Sequence, residues 1–305
     1  MRSRTRSVLA VAAGLATVGL AGCSASNSSG GSPTTPPPTS APSPAALAAV
    51  KSAVTNTLTR TSAFDMTFSR SGPNSVAATP RDASGAVDFR APSGAIRMDL
   101  PGASGGTEQM VFLTDTVFIK PPASSPQLQA GRPWVFANFA DMTTFNINFP
   151  PYIIQTESIN PAFTLDELAW GSTAASPAGR VSFGQQPTDS YLVTVNLNQA
   201  LAHATGPAGD SFSHAITSEI AATDGGASGA AAILTLQTWV DSAGRLVGAR
   251  VTPPGAGIGE LTLALKQFGA AVNDAKPPRH QVVDIAAMIP GAEQEALNNG
   301  DTDGA

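Results

Sequence analysis

"GAVDFRAPSGAIRMDL", residues 85–100, alternates in polarity on both sides of a turn. Val87 and Phe89 share one face of the first run, and Pro92-Ser93-Gly94 turns the chain. Ile96, Met98 and Leu100 then share one face of the return, with Arg97 and Asp99 opposite. Period-two alternation broken by a Pro-Ser-Gly cluster predicts a β-hairpin with one face toward a core. The neighbouring stretches repeat the pattern. "AFDMTFSRSG" (63–72) sets Phe64, Met66 and Phe68 against Asp65, Thr67 and Ser69. "EQMVFLTDTVFIKPP" (108–122) predicts a second hairpin turning at Thr114-Asp115 and stopped at Pro121-Pro122, since proline cannot donate to a ladder. Its strands, which carry Phe112 and Phe118, are apolar on both faces and are expected centrally in the sheet.

Further strands are predicted at "RVSFG" (180–184), "YLVTVNL" (191–197), "AAILTLQTWVD" (231–241), "GRLVGARVTPP" (244–254) and "GELTLALKQFG" (259–269). Helical spacing is rarer. From Pro44 to Thr61, Leu47, Val50, Val54 and Leu58 recur at intervals of three and four and make one apolar stripe. Shorter helices are expected from Asn160 to Trp170, with Pro161 at the first position, and at Leu197–Ala204 and Ser211–Ala222. About ten or eleven strands joined mostly by short turns predict an α+β fold. Its frame is a large antiparallel sheet, big enough to curl, with helices laid on the concave side. Internal repeats are absent from the sequence, and residues 45–290 read as one domain.

Composition narrows the partners. The chain has 17 Lys and Arg against 22 Asp and Glu, a net charge of −5. Loss of Arg2, Arg4 and Arg6 with a leader would take it to about −8, which argues against nucleic acid as a ligand. Those arginines form the basic head of a secretory signal, followed by 13 uncharged, apolar residues from Val8 to Leu20. A spanning helix needs about 20. Leu20-Ala21-Gly22-Cys23 then resembles the bacterial lipobox, and Cys23 is the only cysteine of the chain. On this reading residues 1–22 are a lipoprotein signal peptide and Cys23 is the lipid attachment site, where acyl chains such as palmitate anchor the protein to the outer face of the cell membrane. Residues 23–44, rich in Ser and Pro, are expected to be a disordered tether, and residues 291–305 a disordered acidic tail.

The order of the quoted hairpins, with "RPWVFANF" (132–139) and "LQTWVDSAGRLVGARV" (236–251), resembles the actinobacterial LppX/LprG-type lipoproteins and related LolA-like proteins. The resemblance runs from about residue 45 to 285. It implies a half-barrel sheet partly closed by helices, with a hydrophobic cavity that takes lipid acyl chains. This chain departs from the family at Phe118, where tyrosine is frequent, and in a longer stretch from Asn138 to Ser176. In that stretch Phe145, Phe149, Tyr152 and Ile154 follow no clean period, and are read either as a lid over a cavity mouth or as a cap on the sheet.

If the sheet curls, Phe64, Met66, Phe68, Val87, Phe89, Ile96 and Met98 share one inner face. Phe112, Phe118 and Trp134 are placed with them as lining. Methionines suit an irregular ligand wall, although any core-facing strand carries such a stripe. Catalysis is not expected. "GDSFSH" (209–214) groups Asp210, Ser211, Ser213 and His214 but reads as a helix start. The phosphate loop and metal-ligand spacings are missing from the sequence. No enzyme activity and no cofactor are therefore predicted. Two readings stand: a monomeric envelope lipoprotein that binds and carries lipid or glycolipid, and a regulatory or structural lipoprotein with a filled core that binds an envelope protein.

Overall fold

Alternation around Ile96 becomes two paired strands. The computed structural model describes residues 40–68, 82–100, 106–114, 116–123, 129–138, 160–204, 217, 232–251 and 260–285. Helix α1 (Pro44–Leu58) leads into β1 (Thr61–Phe68), β2 (Asp82–Asp88), β3 (Ser93–Leu100), β4 (Gly106–Leu113), β5 (Thr116–Lys120) and β6 (Trp134–Asn138). Helix α2 (Pro161–Gly171) follows, then β7 (Ser172–Phe183), β8 (Gln186–Asn196) and α3 (Leu197–His203). Strands β9 (Ile233–Val240), β10 (Leu246–Val251) and β11 (Leu261–Lys266) come next, and β12 (Val282–Asp284) follows a short 3-10 turn at Arg279–Gln281.

All twelve strands form one open sheet in the order β12-β6-β5-β4-β3-β2-β1-β11-β10-β9-β8-β7. Every pairing is antiparallel except β12 with β6. The fold is thus α+β around a large, mostly antiparallel sheet, with twelve strands among the described residues where ten or eleven were expected. The first hairpin turns slightly earlier than predicted. Residues 89–92 make the turn, while Ser93 and Gly94 already belong to β3. Asp88 explains the shift: its Oδ1 accepts from the Arg90 backbone N–H at 3.0 Å and its Oδ2 meets Arg90 Nη2 at 2.6 Å. These bonds close the turn and hold the Asp88 carboxyl below its ordinary range, the side-chain bond to Arg90 acting most strongly.

Strand β7 begins at Ser172, eight residues before the predicted "RVSFG". Its sequence "STAASPAG" is loop-like in composition. It is an edge strand, where Pro177 loses no ladder bond that the sheet needs, and its register shifts between Pro177 and Gly179. The last residues of the predicted tether lie against it, with Ser40 N donating to Pro177 O at 3.2 Å and Ser43 N to Ala175 O at 2.9 Å.

Ser43 then caps α1, accepting from Ala46 N at 3.1 Å, with Pro44 at the first position of the helix. Val50 and Val54 are wholly buried, and Leu47 and Leu58 pack beside them. The C-terminal end of α1 is stapled to the β9–β10 turn. Asn56 Nδ2 donates to Ala243 O and Gly244 O at 3.3 and 3.1 Å, and Leu246 N donates to Thr57 Oγ1 at 3.0 Å. Helix α1 therefore sits over β7 to β10, and α2, capped by Asn160, packs on α1, α3, β7 and β8. Buried side chains from β1 to β11 and from α1, α2 and α3 form one core cluster on one face of the sheet.

Candidate functional site

The register of β1 to β6 arranges the inner face in transverse rows. One row runs Met66–Ala83–Met98–Glu108 across β1 to β4. The next runs Phe64–Gly85–Ile96–Met110–Ile119–Val135 from β1 to β6. A third carries Val87, Gly94, Phe112, Val117 and Ala137. Glycine stands in two of these rows because a backbone carbonyl of the neighbouring strand and an aromatic ring both close on the position. A Cβ on Gly85 would meet Phe64 Cε1 at 3.1 Å, and one on Gly94 would meet Phe112 Cζ at 2.6 Å. Aromatic side chains thus cover glycines of the adjacent strand, a device that relieves side-chain crowding where a sheet bends.

Of the residues predicted to line this face, Phe64, Met66, Val87, Phe89, Ile96, Met98 and Phe112 belong to the core cluster, with Phe68 half-buried against it. Phe89 reaches the cluster from the turn rather than from a strand. Phe118 and Trp134 are placed elsewhere. Phe118 lies one residue out of phase with Val117 and Ile119, and Trp134 with Val135, so both point to the opposite face. There Phe118 packs on Phe136 with ring centroids 5.2 Å apart, and Lys120 Nζ lies 5.9 Å from the Trp134 ring centre. The continuous apolar runs of β5 and β6 hide the phase that alternation shows in β1 and β3.

Cys23, the lid residues Phe145, Phe149, Tyr152 and Ile154, and the Asp210–His214 cluster lie outside the described residues, as does residue 291 onward. So does the predicted helix at Ser211–Ala222, apart from Thr217, which is helical.

Two carboxyl groups were not anticipated. Glu108 shares the phase of Met110 and Phe112, and its side chain is 0% exposed, with neither oxygen hydrogen-bonded. Burial pushes its carboxyl up to about 8. Asp166, half-buried on α2, borders a small cavity with Pro92, Phe112 and Phe163, and burial pushes it up to about 7. The sequence signal for Glu108 is an acid at the in-phase position of an otherwise apolar strand face.

Among the described residues no helix is long and apolar enough to cross a membrane, and no cluster of His, Cys, Asp or Glu could hold a metal.

Comparison with known proteins gives likeness at the level of structure. No protein-family model matches the chain, and no curated protein matches it. The crystal structure of LprF from Mycobacterium bovis is similar, with a TM-score of 0.45 and 14% identity over 77% of this chain and 98% of that one. The Mycobacterium tuberculosis lipoprotein LppX gives 0.43 and 14% over 76% and 99%. A LolA superfamily protein from Nitrosomonas europaea is more distant, at 0.27 and 8% over 76% and 94%.

Proposed function

We propose that this chain is a membrane-anchored lipoprotein that binds the acyl chains of a lipid or glycolipid against the inner face of its half-barrel sheet and carries them within the cell envelope. The observation that supports this reading most is the distribution of cover. Among the described residues the larger contacts of the helices fall on β7 to β10, whereas the rows of β1 to β5, buried though they are, carry Met66, Met98 and Met110 in adjoining positions. Unbranched, polarisable methionines repack around ligands of irregular shape. Transfer of acyl surface onto such a wall is favourable by about 25 cal/mol per Å² and needs no covalent chemistry.

A second reading has its own support. Phe64, Met66 and Glu108 expose none of their surface to a water-sized probe, which is the packing of a filled core. The domain would then act by binding an envelope protein. One experiment separates the two: purify the chain lacking its first 23 residues without detergent, extract it with organic solvent, and analyse the extract by mass spectrometry. Stoichiometric acyl lipid is expected. Lipid-free protein that also fails to take up lipid from vesicles would eliminate the carrier reading and leave the protein-binding one.

The proposed anchor is tested separately. Cys23→Ala is expected to leave the leader uncleaved or to release the protein from the membrane fraction, because the thioether-linked chains that hold it are gone. Processing and fractionation identical to wild type would rule the anchor out.

A further inference from the structure

We propose that Glu108 is the polar anchor of the inner face, hydrogen-bonding the free hydroxyl of a neutral lipid of the diacylglycerol kind whose chains lie along the methionine rows. This rests on the carrier reading above and adds the chemistry of the ligand's polar end.

The geometry begins with phase. Glu108 stands directly opposite Met98 in the β3–β4 ladder, two residues from Met110, at the end of the Met66–Ala83–Met98 row. Its side chain is fully buried, and both carboxyl oxygens lack a hydrogen-bond partner. The charged residues of the flanking strands turn away from it. Arg97 and Lys120 occupy the opposite phase and face the other side of the sheet. There Arg97 Nη2 donates to Thr107 Oγ1 at 3.1 Å, and Lys120 lies over Trp134. Asp99, also on that side, accepts from Thr107 at 3.2 Å.

A buried polar group without a partner is costly, and an isolated charge in the same place costs far more. The carboxyl therefore stands protonated, in keeping with its upward shift to about 8. A neutral carboxyl offers one O–H donor and a carbonyl acceptor side by side. A hydroxyl answers both, donating to the carbonyl and accepting from the O–H. An ester carbonyl answers only the donor, an ammonium group only the acceptor, and a phosphate or carboxylate would bring a second charge into apolar surroundings.

The test uses the full chain as wild type, Glu108→Gln and Glu108→Leu, each loaded with a fluorescent acyl probe. Dioleoylglycerol, trioleoylglycerol and oleylamine then compete for the site at pH 7. On wild type, dioleoylglycerol should compete about tenfold better than trioleoylglycerol, the worth of one good hydrogen bond. Glu108→Gln keeps a donor and an acceptor and should retain that preference to within about threefold, whereas Glu108→Leu should lose it while still binding the probe. Persistence of the preference in Glu108→Leu, or oleylamine as the best competitor, would overturn the anchor and leave the carrier reading standing. Failure of wild type to bind the probe at all would overturn both.

Discussion

Replacing Gly85 by alanine should destabilise the domain by roughly 3 kcal/mol, the upper end of the usual cost of overpacking. The added methyl is small, but its position is closed on two sides. A Cβ at residue 85 would stand 2.0 Å from the Ala95 carbonyl oxygen and 3.1 Å from the Phe64 ring. A ring edge can tilt away. A backbone carbonyl in the middle of the β2–β3 ladder moves only if the strands separate, and Gly85 sits between Phe64 and Ile96 in the central row of the inner face. The fitting control is Gly184→Ala in the tight β7–β8 turn. There nothing lies within 4 Å of the new Cβ, and the only cost comes from φ of +61°, about 1–2 kcal/mol for a residue with a side chain. Chemical denaturation of both variants checks the contrast. Equal losses would mean that the close approach of β2 to β3 is not what holds Gly85 in place.

The same residues show how much of this molecule its sequence discloses. The strands with one polar and one apolar face, β1 and β3, were legible because each side chain declares its side: Phe64 and Met66 against Asp65, Ile96 and Met98 against Arg97. Helix α1 was legible for the equivalent reason at the helical period, and α2 through Asn160 and Pro161 at its start. Strand β7 was not, because Ser, Ala, Pro and Gly satisfy an edge strand without the β-branched and aromatic residues that mark central ones. Strand β12 is three residues long, too short to show any period. In β5 and β6 the strand itself was visible, but apolar side chains on both faces removed the phase, which is how Phe118 and Trp134 came to be expected on the inner face. What pattern alone does not report is how tightly a face is packed: a stripe of Phe and Met reads the same over a filled core and over a ligand wall. Glu108 breaks that symmetry, since an acid in phase with Met110 and Phe112 is buried with neither carboxyl oxygen hydrogen-bonded.

Glu108 also makes stability depend on pH in a direction opposite to that of most carboxylates. Its pKa in the folded protein is raised from an ordinary 4.5 to about 8 by desolvation. Below pH 4.5 both folded and unfolded chains hold the proton, and the group costs nothing extra. Between 4.5 and 8 the unfolded chain releases its proton while the folded one retains it, so stability falls as pH rises, by about 1.4 kcal/mol per pH unit. Above pH 8 the folded form ionises as well, and the loss levels off. Asp166 adds a smaller slope of the same sign, reduced by its partial exposure to solvent. Asp88, whose pKa is lowered by Arg90, has the opposite sign and acts only in acid, below the window of Glu108. The comparison of wild type with Glu108→Gln isolates the one group: the amide does not titrate, so the variant should match wild type near pH 5 and exceed it by several kcal/mol at pH 8. For a domain of this size that difference corresponds to a melting temperature higher by on the order of 10 °C at the alkaline end. Parallel pH profiles for the two proteins would show that the carboxyl finds a partner on folding, and with it would go the reason for assigning Glu108 to a ligand.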